Sequence, residues 1–147
     1  MNALELLKAD HKKVAALFDQ VKETESEQKH WKLFEQIKTE LEVHTHIEET
    51  VFYPRIRQYE DLKDMVLEAL EEHKQVKTLI REIADLVKGS EKLDAKLKVM
   101  GENVEHHVEE EETEMFPKVK KAMSKDELEE LGAELQAAKK DRRSAVA

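Results

Sequence analysis

Two stretches of the chain carry residues suited to metal chemistry, and they repeat one pattern. His44-Thr45-His46-Ile47-Glu48-Glu49-Thr50-Val51-Phe52-Tyr53-Pro54 is matched in kind by His107-Val108-Glu109-Glu110-Glu111-Glu112-Thr113-Glu114-Met115-Phe116-Pro117. Each begins with a His, has a Glu four residues on and a second Glu directly after it, and ends with an aromatic residue and a Pro. A four-residue step on an α-helix stacks an imidazole over a carboxylate on one face, so one helix can offer two ligands to a common point.

The elements that position such pairs are helices. With 3 Gly, 2 Pro and 40% charged residues in 147, the chain has little punctuation for strands and much for long helices with solvated faces. A hydrophobic content of 39% with only 5% aromatic residues supports a single core that is poor in rings. The expected fold is all-α, a four-helix bundle over residues 1–122 with a short additional helix and tail over 123–147.

Helix 1 is expected from about residue 3 to 23, with Asn2 and Glu5 as a capping box and Leu4, Leu7, His11, Val14, Phe18 and Val21 facing inward. Helix 2, from about 27 to the late fifties, presents Phe34, Ile37, Leu41, His44, Glu48 and Val51, and Pro54 should kink or loosen its last turns. Helix 3, from about 62 to 88, presents Leu62, Val66, Ala69, His73, Val76, Ile80, Ile83 and Val87. Helix 4, from about 91 into the 120s, presents Leu93, Leu97, Met100, Val104, His107 and Glu111. Ser124 and Glu127 open the fifth helix, with Leu128, Leu131, Leu135 and Ala138 on its apolar side, and the polar end from Lys139 is expected to fray.

The chain also reads as a duplication. Asp10-His11 aligns with Glu72-His73, so each half brings one lone His and one His-plus-Glu pair to a pseudo-twofold site. Counting helix rise from the connections places His44, His73 and His107 in one layer, with His11 off by about 7 Å unless the first connection is lopsided.

A lone His on an apolar stripe is usually a hydrogen-bonded core residue, but a carboxylate there is costly without a cation. No Lys or Arg lies on the inward stripes to serve Glu48 and Glu111. Four His and two Glu standing where a bundle wants Leu, in duplicate, point to a buried metal centre. The remaining candidates take plainer roles. His30 lies at the start of helix 2, His46 points outward, and Glu49 and Glu112 are outer or surface groups. His106 with Glu110 also makes a four-residue step, but the stripe and the ten-residue distance to Pro117 favour His107 with Glu111.

With these residues in place, the chain resembles a hemerythrin-like, HHE cation-binding domain over roughly its first 120 residues. The resemblance lies in the Asp10-His11-Lys12 opening, the two His-x-x-x-Glu-Glu motifs ending in aromatic-Pro, and Glu72-His73 between them. It implies an up-down-up-down four-helix bundle holding a non-haem di-iron centre bridged by an oxo or hydroxo group. By position it implies His11, His44, Glu48, His73, His107 and Glu111 as the ligands. Bridging carboxylates would give about eight of the twelve or so bonds that two octahedral ions need, leaving room for a small ligand. Iron suits this set best, with manganese or zinc as alternatives. Hemerythrin-type oxygen carriers place a further His one helical turn after the lone His of helix 3. Here that position is Lys77, a departure that bears on reversible oxygen carriage.

The functional expectation is a di-iron protein that binds or senses O2, NO or peroxide, or handles iron. The alternatives are a di-iron oxidase, peroxidase or NO-consuming enzyme, with Tyr53 and Tyr59 as redox neighbours, and a metal-free helical module. A formal net charge of −9 argues against nucleic-acid and anionic-membrane partners, and protein partners are not specified. The absence of Cys rules out disulfides and thiolate sites, and no stretch approaches the roughly 18 apolar residues that span a bilayer. With no basic, apolar leader at Met1–Lys8, the expected location is the cytoplasm.

Overall fold

The computed structural model describes residues 1–146, and among these every regular element is helical. Helix α1 runs Ala3–Lys22 and α2 runs Glu27–Ile47. The second rod continues through a π-helical turn, π1 (Glu48–Phe52), into α3 (Tyr53–Ile56). After a short turn comes α4 (Glu60–Ala84). The fourth rod comprises α5 (Leu93–Glu110), a second π turn, π2 (Glu111–Met115), and α6 (Phe116–Ala122). Helix α7 spans Lys125–Val146. The four rods make the expected bundle, and α7 lies against α1 and α2.

The helix starts follow from local chemistry. Glu5 N–H donates to Asn2 Oδ1 at 2.9 Å and Asn2 N–H to Glu5 Oε1 at 3.0 Å, closing the predicted capping box. Ser124 and Glu127 do the same for α7, at 2.9 and 3.1 Å. Ser26 caps α2 by accepting from Lys29 N–H.

The kink predicted at Pro54 takes the form of a π turn just ahead of it, and Pro117 repeats it. Proline has no N–H, and its ring crowds the carbonyl four residues back. Opening one turn relieves both problems: Tyr53 N–H donates to the Glu48 carbonyl, and Phe116 N–H to the Glu111 carbonyl, each across five residues. In a regular α-helix the fifth residue lies about 140° round from the first. The wider turn swings it back to the same face, so Tyr53 and Phe116 are 1% and 2% exposed.

Two apolar clusters flank the His and Glu layer. One gathers Leu4, Leu7, Phe52, Ile56, Leu62 and Phe116 with Leu131 and Leu135 of α7. The other gathers Val14, Phe34, Ile37, Ile80, Leu97 and Met100 near the opposite ends of the rods. One inward assignment fails: α4 stops at Ala84, and Val87, beyond its end, is 75% exposed. The segment from Lys139, whose composition predicts fraying, continues α7 to Val146 because its charges find partners on α1 and α2. No helix among the described residues is long and apolar enough to cross a membrane.

Candidate metal centre

All six predicted residues converge in the layer between the two clusters. Their exposure runs from 0% for Glu48 to 7% for His107. They fall into two groups of four, His11, His44, Glu48 and Glu111, and Glu48, His73, His107 and Glu111, each with its ligand atoms within 4.8 Å of one another. Both carboxylates belong to both groups. Every imidazole turns Nε2 inward: His11 to Glu111 Oε1 at 3.1 Å, His44 to Glu48 Oε1 at 3.3 Å, His73 to Glu48 Oε1 at 3.1 Å and His107 to Glu111 Oε2 at 3.3 Å.

His11 joins this layer because the first connection is lopsided. The His30 ring, in the first turn of α2, reaches the carbonyls of Val21 and Thr24 at 3.0 and 2.6 Å. The start of α2 therefore overhangs the end of α1, which absorbs the mismatch in height.

Each inward imidazole is oriented by a carboxylate on its outer nitrogen. Nδ1 of His11 meets Glu112 at 2.6 Å, His44 meets Asp10 at 3.0 Å, His73 meets Glu49 at 2.8 Å and His107 meets Glu72 at 2.7 Å. The arrangement respects the duplication, with Asp10 matching Glu72 and Glu49 matching Glu112. Such pairs fix which ring nitrogen is free for a metal and raise its basicity.

Charge in the layer is balanced by protons. Burial pushes the His44 imidazole down, but the Glu48 carboxylate and the Asp10 hydrogen bond override it, raising its pKa to about 10. Burial likewise opposes protonation of His107, and Glu111 and Glu72 bring it to about 11. The His73 hydrogen bond, with Lys77, holds Glu49 down to about 2. Burial works against ionisation of Glu48 and Glu111, as does the Glu111 charge on Glu48, yet the neighbouring imidazoles keep both below the usual carboxylate range. Protonated imidazoles thus supply the positive charge that the two carboxylates require.

The donor set fits a metal ion. Despite the short His11 Nε2–Glu111 Oε1 approach, His11 Nε2, His44 Nε2, Glu48 Oε2 and Glu111 Oε1 are buried without an aligned hydrogen bond, one atom from each member of the first group. Buried polar atoms are rarely left so, and four converging on one point match a cation's coordination.

Tyr53, expected only as a redox neighbour, reaches into the donor layer itself. Its hydroxyl donates to Glu111 Oε2 and lies 3.3 Å from Glu48 Oε1, 3.3 Å from His73 Nε2 and 3.5 Å from His107 Nε2. It therefore sits within the second group. Burial, then the charges of Glu111 and Glu48, push its pKa well above the ordinary phenol value. Phe116 holds the symmetry-related place, its ring stacked 6.0 Å from His11. One hydroxyl thus breaks the twofold likeness of the two groups. The signal in the sequence was the shared offset of five residues from Glu48 to Tyr53 and from Glu111 to Phe116. Tyr59, the other predicted redox neighbour, sits instead at the N-cap of α4.

The other histidines stay outside. His106 has a 67% exposed side chain and meets Glu110 at 3.0 Å, forming with Glu72 a group on the surface. His46 is half-buried. A small cavity of about 30 Å³ touches all four inward imidazoles and is closed by Val14, Leu41, Val76 and Val104. A larger groove of about 670 Å³, lined by Phe18, Leu97 and Gly101, shares His11, Val104 and Val108 with that cavity.

Comparison with known proteins accords with this geometry. The sequence model of the hemerythrin HHE cation binding domain matches residues 2–119. The chain belongs to the hemerythrin HHE cation-binding family. The HHE architecture extends to a solved structure, that of a hemerythrin HHE cation binding domain-containing protein from Mycobacterium kansasii. The two are 28% identical with a TM-score of 0.84, over 99% of this chain and 89% of the other. A curated relative from Nostoc sp. (strain PCC 7120 / SAG 25.82 / UTEX 2576), named DNA nickase, is 29% identical over 139 residues, 95% of this chain. The HHE chain spans 39% of that relative's length.

Proposed function

We propose that this HHE protein holds a non-haem di-iron centre that binds a small oxidant such as O2, NO or peroxide, or handles iron itself. The observation that carries this reading is the membership of Glu48 and Glu111 in both ligand groups. Two ions held by these groups would share Glu48 and Glu111, with His11 and His44 serving one and His73 and His107 the other. Iron, when bound, supplies sites for a small ligand and electrons to exchange with it.

The chain's own residues set the terms. Asp10, Glu49, Glu72 and Glu112 hold the four rings with Nε2 inward. Tyr53 adds a phenol oxygen beside the four residues of the second group. Were it to join the donor set, that hard oxygen would favour the ferric state of a bound iron and work against reversible O2 carriage. The 30 Å³ cavity has room for a molecule of a few atoms and presents apolar walls, so it favours uncharged ligands.

Optical spectra of the iron-loaded protein, recorded before and after reduction and again after adding NO, O2 or peroxide, test the reading. Bands of a bridged diferric pair that bleach on reduction and respond to one of these ligands support it. Loaded protein with no such bands, or with bands indifferent to all three, contradicts it.

A second reading, enzymatic turnover, is favoured by the 670 Å³ groove, which reaches His11 and is large enough for an organic molecule. Sustained consumption of peroxide or an organic reductant, lost in Glu111→Ala, distinguishes it from a stoichiometric reaction. DNA cleavage finds little support in this chain. The ligand layer is buried, the net charge is −9, and the relative named for that activity is more than twice as long.

A further inference from the structure

The four carboxylates that orient the ligand histidines are not equivalent, because only some of them are neutralised by lysine. Lys77 Nζ meets both oxygens of Glu49 at 2.8 Å. Lys139 Nζ donates to Asp10 Oδ1, while Asp10 Oδ2 accepts from His44 Nδ1. The two links differ in setting. The Lys77 and Glu49 side chains are 41% and 26% exposed, whereas those of Lys139 and Asp10 are 19% and 6% exposed. Solvent screens the first pair far more than the second.

Lys139 also comes from outside the duplicated unit. It lies on α7, beyond residues 2–119 that match the family, yet it stands two hydrogen bonds from the outer nitrogen of the His44 ring. Helix α7 is docked by features independent of it. Leu131 and Leu135 are fully buried, Gly132 lies against the backbone of Asn2 and Ala3, and Arg143 grips both oxygens of Glu40 at 2.7 and 3.2 Å.

We propose that Lys139 is a positioning residue of the metal centre: by neutralising Asp10, it limits how strongly Asp10 draws the Nδ1 proton of His44, and so sets the reduction potential of the metal bound by His11 and His44. The argument is electrostatic. A buried carboxylate without a cation pulls the imidazole proton toward itself and makes Nε2 a stronger, more anionic donor. A lysine on its far oxygen withdraws that charge, leaving His44 a neutral donor. The C-terminal helix therefore reaches the chemistry through a single ammonium group. This inference rests on the di-iron reading given above.

The test is a spectroelectrochemical titration of the full chain loaded with Fe(II), comparing Lys139→Met, Lys139→Arg, Lys77→Met and Arg143→Gln with the wild type. Lys139→Met is expected to favour the ferric form by about tenfold in one of two redox steps, a fall of about 59 mV for a one-electron couple. Lys139→Arg keeps the charge and should stay within about twofold of wild type. Lys77→Met should shift less than Lys139→Met, because its pair is more exposed. Arg143→Gln loosens α7 and removes a charge that acts on Asp10 only at a distance, so it should shift the potential less than Lys139→Met. An unchanged potential in Lys139→Met overturns the proposal, as does an equal shift in Arg143→Gln, which would make the effect one of docking. Wild-type protein that takes up no redox-active iron defeats the di-iron reading, and this inference with it, before any variant is compared.

Discussion

Glu48 and Glu111 replace core residues on their helices, and their burial is tolerable only because positive charge surrounds them. In the metal-free protein that charge is borne by His44 and His107, whose raised pKa values mean that a metal must displace protons to bind. Tyr53 contributes differently, as a phenol inserted among the side chains of one group only. Tyr53→Phe should leave iron content near wild type while abolishing any phenolate-to-ferric absorption, read from the visible spectrum of the oxidised protein. Retention of that absorption would remove Tyr53 from the site. The six His and Glu residues were legible in the sequence because each interrupts an apolar stripe of steps of three and four. Tyr53 was legible as a neighbour but not as a member of the layer, since on a regular helix the fifth residue after Glu48 faces elsewhere. Only the π turn brings it inward.

Helices here are positioned by contacts that sequence patterns carry unevenly. The capping boxes at Asn2 and Ser124 follow from residue type and spacing, and both form. The fastening of α1 to α2 by His30 does not, because its partners Val21, Thr24 and Asp94 are a carbonyl pair and a distant carboxylate. With acceptors at both ring nitrogens, the imidazolium is the better-satisfied form. Burial lowers the His30 pKa, but the Thr24 carbonyl and Asp94 outweigh it, and the net shift is upward. A raised folded-state pKa contributes stability that is full below the unfolded value of about 6.5 and is lost as pH rises through the folded value. The melting temperature of metal-free wild type should therefore exceed that of His30→Gln most below pH 6.5, with the gap closing as pH rises. A gap independent of pH would contradict this. At the other end of the bundle, a Cβ on Gly132 would come within 2.8 Å of the Asn2 backbone carbon and 2.9 Å of the Ala3 nitrogen. Gly132→Ala should cost about 1–3 kcal/mol by forcing α7 away from the α1 start, measurable by denaturant unfolding. The order of the Lys139 segment escaped the sequence reading for a related reason. Its partners, Asp10 and Glu40, lie about a hundred or more residues away.

The whole molecule is two apolar cores separated by a polar, charged layer, so the cores support the fold and a metal bound in the layer would add to its stability. An ion bound only by the native state at about 100 times its Kd stabilises by about 2.7 kcal/mol. For a chain of this size that corresponds to a rise of roughly 5–10 °C in Tm, to be lost on chelation and seen by calorimetry. An unchanged Tm would leave the layer as a polar core rather than a binding site. The fold class and the ligand layer were thus readable from composition and periodicity, whereas the large groove beside His11 was not, because it arises from how far α1 and α5 stand apart. The account as a whole turns on two carboxylates serving two ions. Iron per chain, measured on wild type, His44→Ala and Glu48→Ala prepared identically, tests this most directly. Two irons in wild type, about one in His44→Ala and close to none in Glu48→Ala are predicted. Wild type without iron, or Glu48→Ala keeping both, would contradict it.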